Sequence, residues 1–295
     1  MKNRRFYEIG GITVQVDADL PITDSTFHSK FRLFEVDGPG KDTVSLHHHF
    51  YLPKLDNRDL GKEVYRKPPW AIYTNGDSYI YVWMSTSPED NGRHRVAFFN
   101  PDHTKATLYN NSIDKRAFCQ GGMESLTLFP TDQILLARIL ADREACILHS
   151  SGLVLDSGGY LFAGHSDAGK STLTTMLKDR AEILSDDRII VRRWQDGFRI
   201  HGTWSHGDVP DVSPASAPLK AIMFLVQAKE NRLIPMENRR EINRRLLACL
   251  IKPFVTADWW EKMLTLVAQI GREVPCYELR FDKSGIEWLI GGLVN

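Results

Sequence analysis

Cysteine is scarce in this chain. Only Cys119, Cys146, Cys249 and Cys276 occur in 295 residues, and no two are spaced C-x-x-C. Thiols so dispersed, in a chain this large without a secretory start, are read as reduced rather than as a disulfide scaffold. An excess of charge is also missing. Lys+Arg and Asp+Glu both number 37, so the net charge is zero with His neutral. A dedicated nucleic-acid binder normally carries a basic excess, so that class is set aside. No segment reaches the uncharged length of a membrane-spanning helix. The basic start, Met1-Lys2-Asn3-Arg4-Arg5-Phe6-Tyr7-Glu8, has no apolar run behind it and does not read as a secretory signal. Internal repeats and low-complexity tracts are absent as well. A cytoplasmic protein without a membrane or nucleic-acid partner is the expectation.

What is present is an ordinary globular composition, 42% hydrophobic and 25% charged. The length favours two domains or one large one. Residues 1–130 read as β-rich, with alternating apolar positions in Ile12–Val16, Tyr79–Trp83 and Arg95–Phe99. Turn signals fall at Asp37-Gly38-Pro39-Gly40, Asn75-Gly76-Asp77 and Asn91-Gly92. An antiparallel β domain extending to about Asn110, serving partner or substrate recognition, is the reading. Residues 131–295 read as an α/β domain. Thr131 is expected to cap a helix ending near Glu144, and the core begins near Cys146. Pro210–Pro218 reads as a loop and Ala221–Val226 as a buried strand. Arg239–Ile251 and Ala257–Ile270 read as helices, Tyr277–Phe281 as a strand, and Ser284 opens a final short helix.

The densest signal is Gly164-His165-Ser166-Asp167-Ala168-Gly169-Lys170-Ser171, which fits G-x-x-x-x-G-K-[ST] without a gap. Its four fixed positions match by chance in roughly one chain in a hundred of this size. Tyr160–Ala163 before it reads as a strand, and Thr172–Lys178 after it as a helix with Leu173, Met176 and Leu177 on one face. In that setting the glycines let backbone N–H groups converge on phosphate oxygens, and the helix N-terminus adds its dipole. Gly164 through Thr172 are therefore the candidate nucleotide-binding residues. Lys170 would reach the β- and γ-phosphates, and Ser171 would offer a hydroxyl to Mg²⁺. Asp167 is unusual, because it puts a carboxylate in a loop built for anions. It either opposes phosphate or turns away to cap the following helix.

Three features accompany the loop. Ser185-Asp186-Asp187 follows the apolar pair Ile183-Leu184. Asp186 and Asp187 are candidates for holding metal and for accepting a proton, and neighbours on an extended segment face opposite ways. Asp186 is carried forward as a metal ligand beside Ser171. His149 precedes a tight hairpin. If Asp156 pairs with Gly159 across Ser157-Gly158, His149 falls opposite Ser166, where it would serve as base or phosphate contact. His201-Gly202-Thr203-Trp204-Ser205-His206-Gly207 reads as a constrained loop, with Trp204 divided between ligand closure and core. Two other tracts are read as inert. In His47-His48-His49 only the outer pair share a strand face, and no cysteine or acidic partner stands nearby in sequence. Arg239-Arg240 and Arg244-Arg245 are read as a solvated helix face.

From Leu148 to about Arg193 the sequence resembles the kinase core of the HPr serine kinase/phosphorylase family, whose phosphate loop is similar to that of phosphoenolpyruvate carboxykinases. The resemblance rests on Leu148-His149, Gly164–Ser171 and Leu184-Ser185-Asp186-Asp187, in that order. It implies an HPr-kinase-like P-loop core, with Lys170 and Ser171 as nucleotide and Mg²⁺ residues, Asp186 and Asp187 as the acidic pair, and His149 as the active-site histidine. More loosely, Val212–Ile222 and Leu246–Ile251 resemble a divergent bacterial branch that includes kinases of lasso-peptide precursors. The chain departs from the family at Asp167, where HPr kinases carry glycine. It also lacks their glycine-rich signature after the core, and its N-terminal half is unlike theirs. The resemblance implies an ATP- and Mg²⁺-dependent kinase acting on a hydroxyl of a peptide, protein or small metabolite. The alternative is a non-catalytic nucleotide-binding regulatory module in a peptide or polysaccharide biosynthesis assembly. Homo-oligomerisation is left open.

Overall fold

The computed structural model describes residues 3–84, 93–165, 168–254 and 256–282. The expected turn at Asn91-Gly92 and the final helix from Ser284 lie outside them. The chain divides into two units, Met1–Leu135 and Leu136–Asn295.

The strands of the first unit are β1 (Arg4–Ile9), β2 (Ile12–Ala18), β3 (Glu35–Val36), β4 (Thr43–His49), β5 (Lys62–Lys67), β6 (Trp70–Asn75), β7 (Ser78–Met84), β8 (Arg93–Phe99) and β9 (Lys105–Asn110). Among the described residues they form one nine-stranded sheet, in the order β3-β1-β2-β4-β9-β8-β7-β6-β5. The β-rich reading holds, but the sheet is mixed rather than antiparallel. β2 pairs parallel with β4, and β4 parallel with β9. Parallel neighbours need long crossovers, and residues 19–42 and 50–104 supply them. The expected hairpin at Asn75 forms, pairing Asn75 with Ser78 around Gly76 at φ +58. Alternation buries Val14, Val16, Val44, Leu46 and Leu108 on one face. The one-turn helix α1 (Asn57–Leu60), helix α2 (Ser112–Gln120) and a 3-10 helix over Ser29–Phe34 also belong to this unit. Asn111 caps α2 by accepting the Asp114 N–H, and Phe118 packs edge-on against Phe27.

The helix expected from Thr131 to Glu144 is broken. A π-turn spans Asp132–Leu136, α3 covers Ala137–Ile139, and a 3-10 turn covers Ala141–Arg143. Thr131 is not the cap. Its hydroxyl is bonded to Ser125 and Thr127, while Gln133 and Ile134 both donate to the Pro130 carbonyl. That shared acceptor disturbs regular i→i−4 bonding at the start.

The second unit contains β10 (Ala145–Leu155), β11 (Gly158–Ala163), β12 (Glu182–Ser185), β13 (Arg188–Trp194), β14 (Gly197–His201), β15 (Ser216–Gln227), β16 (Arg232–Pro235) and β17 (Cys276–Phe281). Among the described residues, helices α4 (Lys170–Leu177), α5 (Arg239–Cys249) and α6 (Ala257–Glu273) join α3 in this unit, giving α/β character. The first half of β10 pairs with β13 and the second half with β11. β15 pairs with β14 through Ser216–Pro218 and with β11 from Leu219 onward, so the ladder closes on itself. The loop expected through Pro218 therefore ends at Ala215. Pro218 sits where β15 changes partner, a place where a missing N–H costs little.

Alternation explains why β11 and β15 are buried on both faces. Tyr160, Phe162, Met223 and Leu225 pack with Leu173 and Leu177 of α4. Leu161, Ala163, Ile222 and Phe224 pack with Ile242 and Leu246 of α5 and Met263, Leu266 and Ile270 of α6. Each such side chain contributes about 1.5–3 kcal/mol on full burial. This two-sided core grips β11 and β15, parallel strands whose common C-terminal edge carries the loop after Ala163.

Candidate functional site

β11 ends at Ala163, and Gly164 begins the loop that runs into α4. Ser166 and Asp167 lie outside the described residues, and with them the expectations attached to Asp167. Gly169 caps α4 at φ +100, a left-handed conformation open to glycine at no steric cost. A Cβ there would stand 2.7 Å from the Phe281 ring. His165 is exposed, Ala168 is buried and Thr172 half-buried.

Lys170 folds back over the loop. It is 8% exposed, and Nζ donates to the Gly164 and His165 carbonyls at 3.1 Å each. Cys249, at the end of α5, is close enough to receive a backbone hydrogen bond from Gly164 and to feel the Lys170 charge. Burial nevertheless pushes its thiol pKa up. Ser171, the second residue of α4, donates its hydroxyl to Asp186 Oδ2 at 3.0 Å.

Asp186 and Asp187 occupy a turn between β12 and β13. Ser185 shapes it: Oγ accepts the N–H groups of Asp187 and Arg188 at 3.0 and 3.1 Å and donates to the Ser205 carbonyl at 2.6 Å. The two carboxylates have different partners although the backbone bends there rather than running extended. Asp186 is buried and accepts the amides of Gly207 at 2.6 Å and Val209 at 2.9 Å besides the Ser171 hydroxyl. Asp187 is half-buried, with Oδ1 at 2.9 Å from His149 Nδ1 and Oδ2 at 3.2 Å from Arg188 Nε. The His149 hydrogen bond, helped by Arg188 and Lys170 and opposed by burial, holds Asp187 below the usual carboxylate range.

His149 arrives by a different register from the one expected. The hairpin turns on Asp156-Ser157, both at positive φ, and pairs Leu155 with Gly158. Two positive-φ residues are what a two-residue hairpin turn of matching twist requires. The ladder with β11 ends at Ser150–Ala163, so His149 is not opposite Ser166. It pairs instead with Arg188 of β13, and Nδ1 also lies 3.1 Å from the Asp187 carbonyl.

The loop after β14 contributes backbone amides to Asp186 and the Thr203 hydroxyl to the adjoining strand. Gly207 and Val209 donate to Asp186, Thr203 Oγ1 donates to the Arg188 carbonyl at 2.7 Å, and Trp204 is core. His201 is turned away. The Trp194 indole N–H donates to its Nε2 at 3.1 Å, and burial, with Arg192 and Arg199, pushes its pKa down to about 4. Arg244 and Arg245 both pair with Glu241, and Arg245 also reaches Glu278 at 2.9 Å. The structure thus brings together Gly164, His165, Lys170, Ser171, Asp186, Asp187 and His149. Sequence reasoning missed Arg188, Cys249 and the amides of Gly207 and Val209. Arg188 follows the acidic pair directly, but nothing local marks the others.

Residues 131–290 match the family described as "SynChlorMet cassette protein ScmC". No curated protein matches the chain. Among solved structures the chain is similar to the Hpr(Ser) kinase/phosphatase from Coxiella burnetii, at 18% identity and a TM-score of 0.31. That likeness covers 50% of this chain and 93% of the other. No described helix is long and apolar enough to cross a membrane.

Proposed function

The chain belongs to the ScmC family of SynChlorMet cassette proteins, and we propose that it is an ATP- and Mg²⁺-dependent kinase that transfers the γ-phosphoryl group to a hydroxyl of a peptide, protein or small metabolite. The observation that carries this reading is the junction of loop and acidic turn. The buried Lys170 ammonium lies at the loop carbonyls, and Ser171 is bonded to Asp186 at 3.0 Å. A hydroxyl and a carboxylate side by side are the hard oxygen donors that suit Mg²⁺. Ser171 would hold the ion and Asp186 would fix the Ser171 hydroxyl. Mg²⁺, when bound, neutralises charge on the β- and γ-phosphates.

The two carboxylates take different roles. Asp186 is committed to two amides and the Ser171 hydroxyl, which makes it a positioning group on the metal side. Asp187 is held low in pKa and is a weak base, so it orients His149 through Nδ1. Nε2 of His149 would then take the acceptor's proton as the hydroxyl attacks phosphorus. Lys170 and the loop amides stabilise charge on the phosphoryl oxygens as the bond to ADP breaks.

The test is radiolabelled ATP with the peptides and proteins encoded beside this chain, using the parent, Asp186→Asn and Asp187→Asn. Asp186→Asn should weaken Mg²⁺-dependent nucleotide binding. Asp187→Asn should keep binding and lose turnover. Label transfer unchanged in both variants would sink the mechanism. Nucleotide binding without transfer to any acceptor would favour the regulatory module.

A further inference from the structure

The histidine tract of β4 does have an acidic partner, contrary to the sequence expectation. β2 and β4 are parallel neighbours, pairing Asp17 with His47 and Ala18 with His48. Asp19 continues past the end of β2 and is held by its N–H to the His48 carbonyl at 3.0 Å. This register sets Asp19 beside the two outer histidines. His47 Nε2 lies 3.0 Å from Asp19 Oδ1, and His49 Nδ1 lies 2.8 Å from Oδ2. The imidazole centroids are 4.5 Å apart. His48 points to the other face, fully buried, with Nε2 at the Leu126 carbonyl.

We propose that Asp19, His47 and His49 form a binding site for a first-row divalent transition ion, with Zn²⁺ the leading candidate. One ligand atom from each residue can be chosen so that all lie within 4.8 Å of one another. Ligands about 2.0–2.2 Å from a tetrahedral ion stand roughly 3.3–3.5 Å apart, so small side-chain rotations suffice. Two imidazoles and one carboxylate favour zinc, copper, nickel or cobalt over Mg²⁺. The rings would bind as neutral imidazoles through Nε2 of His47 and Nδ1 of His49. The protons those atoms now direct at Asp19 move to the other ring nitrogens. The surroundings support the geometry: His49 stacks on Tyr109 at 5.1 Å and contacts Tyr51 at 5.5 Å, which restricts its rotation. The side chains of His47, His49 and Asp19 are 43%, 25% and 42% exposed, so water can complete the shell. The site is independent of the nucleotide reading. It uses residues of the first unit only.

Calorimetric titration of the EDTA-stripped full chain with ZnCl₂ tests this, joined to electron paramagnetic resonance with Cu²⁺. The expected result is one ion bound per chain, with nitrogen hyperfine splitting from two imidazoles. His47→Ala and Asp19→Asn should each weaken zinc more than about 100-fold, beyond the cost of losing an outer-shell partner. Circular dichroism should show both variants folded. Cys119→Ser, at an exposed thiol, should leave the isotherm unchanged. The proposal is overturned by the absence of zinc binding, by binding that survives both ligand substitutions, or by a copper spectrum without nitrogen coupling.

Discussion

Among the described residues, one aspartate–histidine grouping stands on the N-terminal sheet and another in the C-terminal unit, and their surroundings differ in sign. On the N-terminal sheet, Asp19 meets two imidazoles, one on each carboxylate oxygen. In the C-terminal unit, Asp187 meets one imidazole and one guanidinium, and the Lys170 charge also acts on it. The first arrangement gathers lone pairs that a cation can share. The second places fixed positive charge around a carboxylate, next to a loop suited to an anion. The same two residue types are thus placed in opposite electrostatic surroundings by what stands beside them.

The largest expected effect tests the anion side of that contrast. Lys170→Ala should abolish the rise in Tm that Mg-ATP produces, a stabilisation of about 2.7 kcal/mol at a hundredfold excess over Kd. It should also slow phosphoryl transfer by about a thousandfold, equivalent to ~4 kcal/mol. A Tm rise of parental size in the variant would break the contrast, because nucleotide would then bind elsewhere. Next is the loop that holds Asp186. A Cβ on Gly202 would lie 1.8 Å from the Ser213 carbonyl oxygen. Backbone cannot yield as a flexible side chain can, so Gly202→Ala should cost about 3 kcal/mol or more in urea unfolding. A variant as stable as the parent would show that this loop is not rigidly packed.

His201 sharpens the comparison, since it is a buried histidine whose Nε2 accepts a hydrogen bond from the Trp194 indole. Its folded pKa, about 4, lies below the ordinary imidazole value near 6.5. A group lowered on folding contributes stability that is complete above its unfolded pKa and is lost as pH falls through its folded one. The parent should therefore lose about 2–3 kcal/mol between pH 6.5 and 4 through this group, one pKa unit being about 1.4 kcal/mol. His201→Gln should flatten that part of the stability–pH curve. An identical curve would place the acid sensitivity on other groups. The smallest effect belongs to Arg244, which pairs with Glu241 on an open helix face. Arg244→Ala should leave Tm unchanged within error by scanning calorimetry, as exposed ion pairs commonly do. A clear fall would mean that this face is covered by a partner in solution.

Much of this molecule is written locally. The run from Gly164 to Ser171 needs only its own glycines, lysine and hydroxyl, with a strand before and a helix after, and both elements are present around it. Ile12–Val16 and Tyr79–Trp83 likewise lie in strands, although their burial does not alternate strictly: Ile80, Tyr81 and Val82 are all buried. Adjacent Asp186 and Asp187 could be marked as a pair because they touch in sequence. Backbone preference and side-chain periodicity act over a few residues, so a short window contains their cause.

Tertiary structure decided what each of those groups faces. A turn on Asp156-Ser157 instead of Ser157-Gly158 changed the partners of His149, which pairs with Arg188 and meets the Asp187 carboxylate. Turn residues alone left both positions open, because the two registers differ by two residues and keep every side chain on the same face. The amides on Asp186 come from a loop reached only after β13 and β14 have paired. Asp19 meets His47 and His49 only because β2 and β4 run parallel and side by side, a pairing that no local pattern encodes. Residue type and spacing supply the chemistry that is available. Which groups meet depends on strand order and register, and these follow from burying both faces of many distant segments at once.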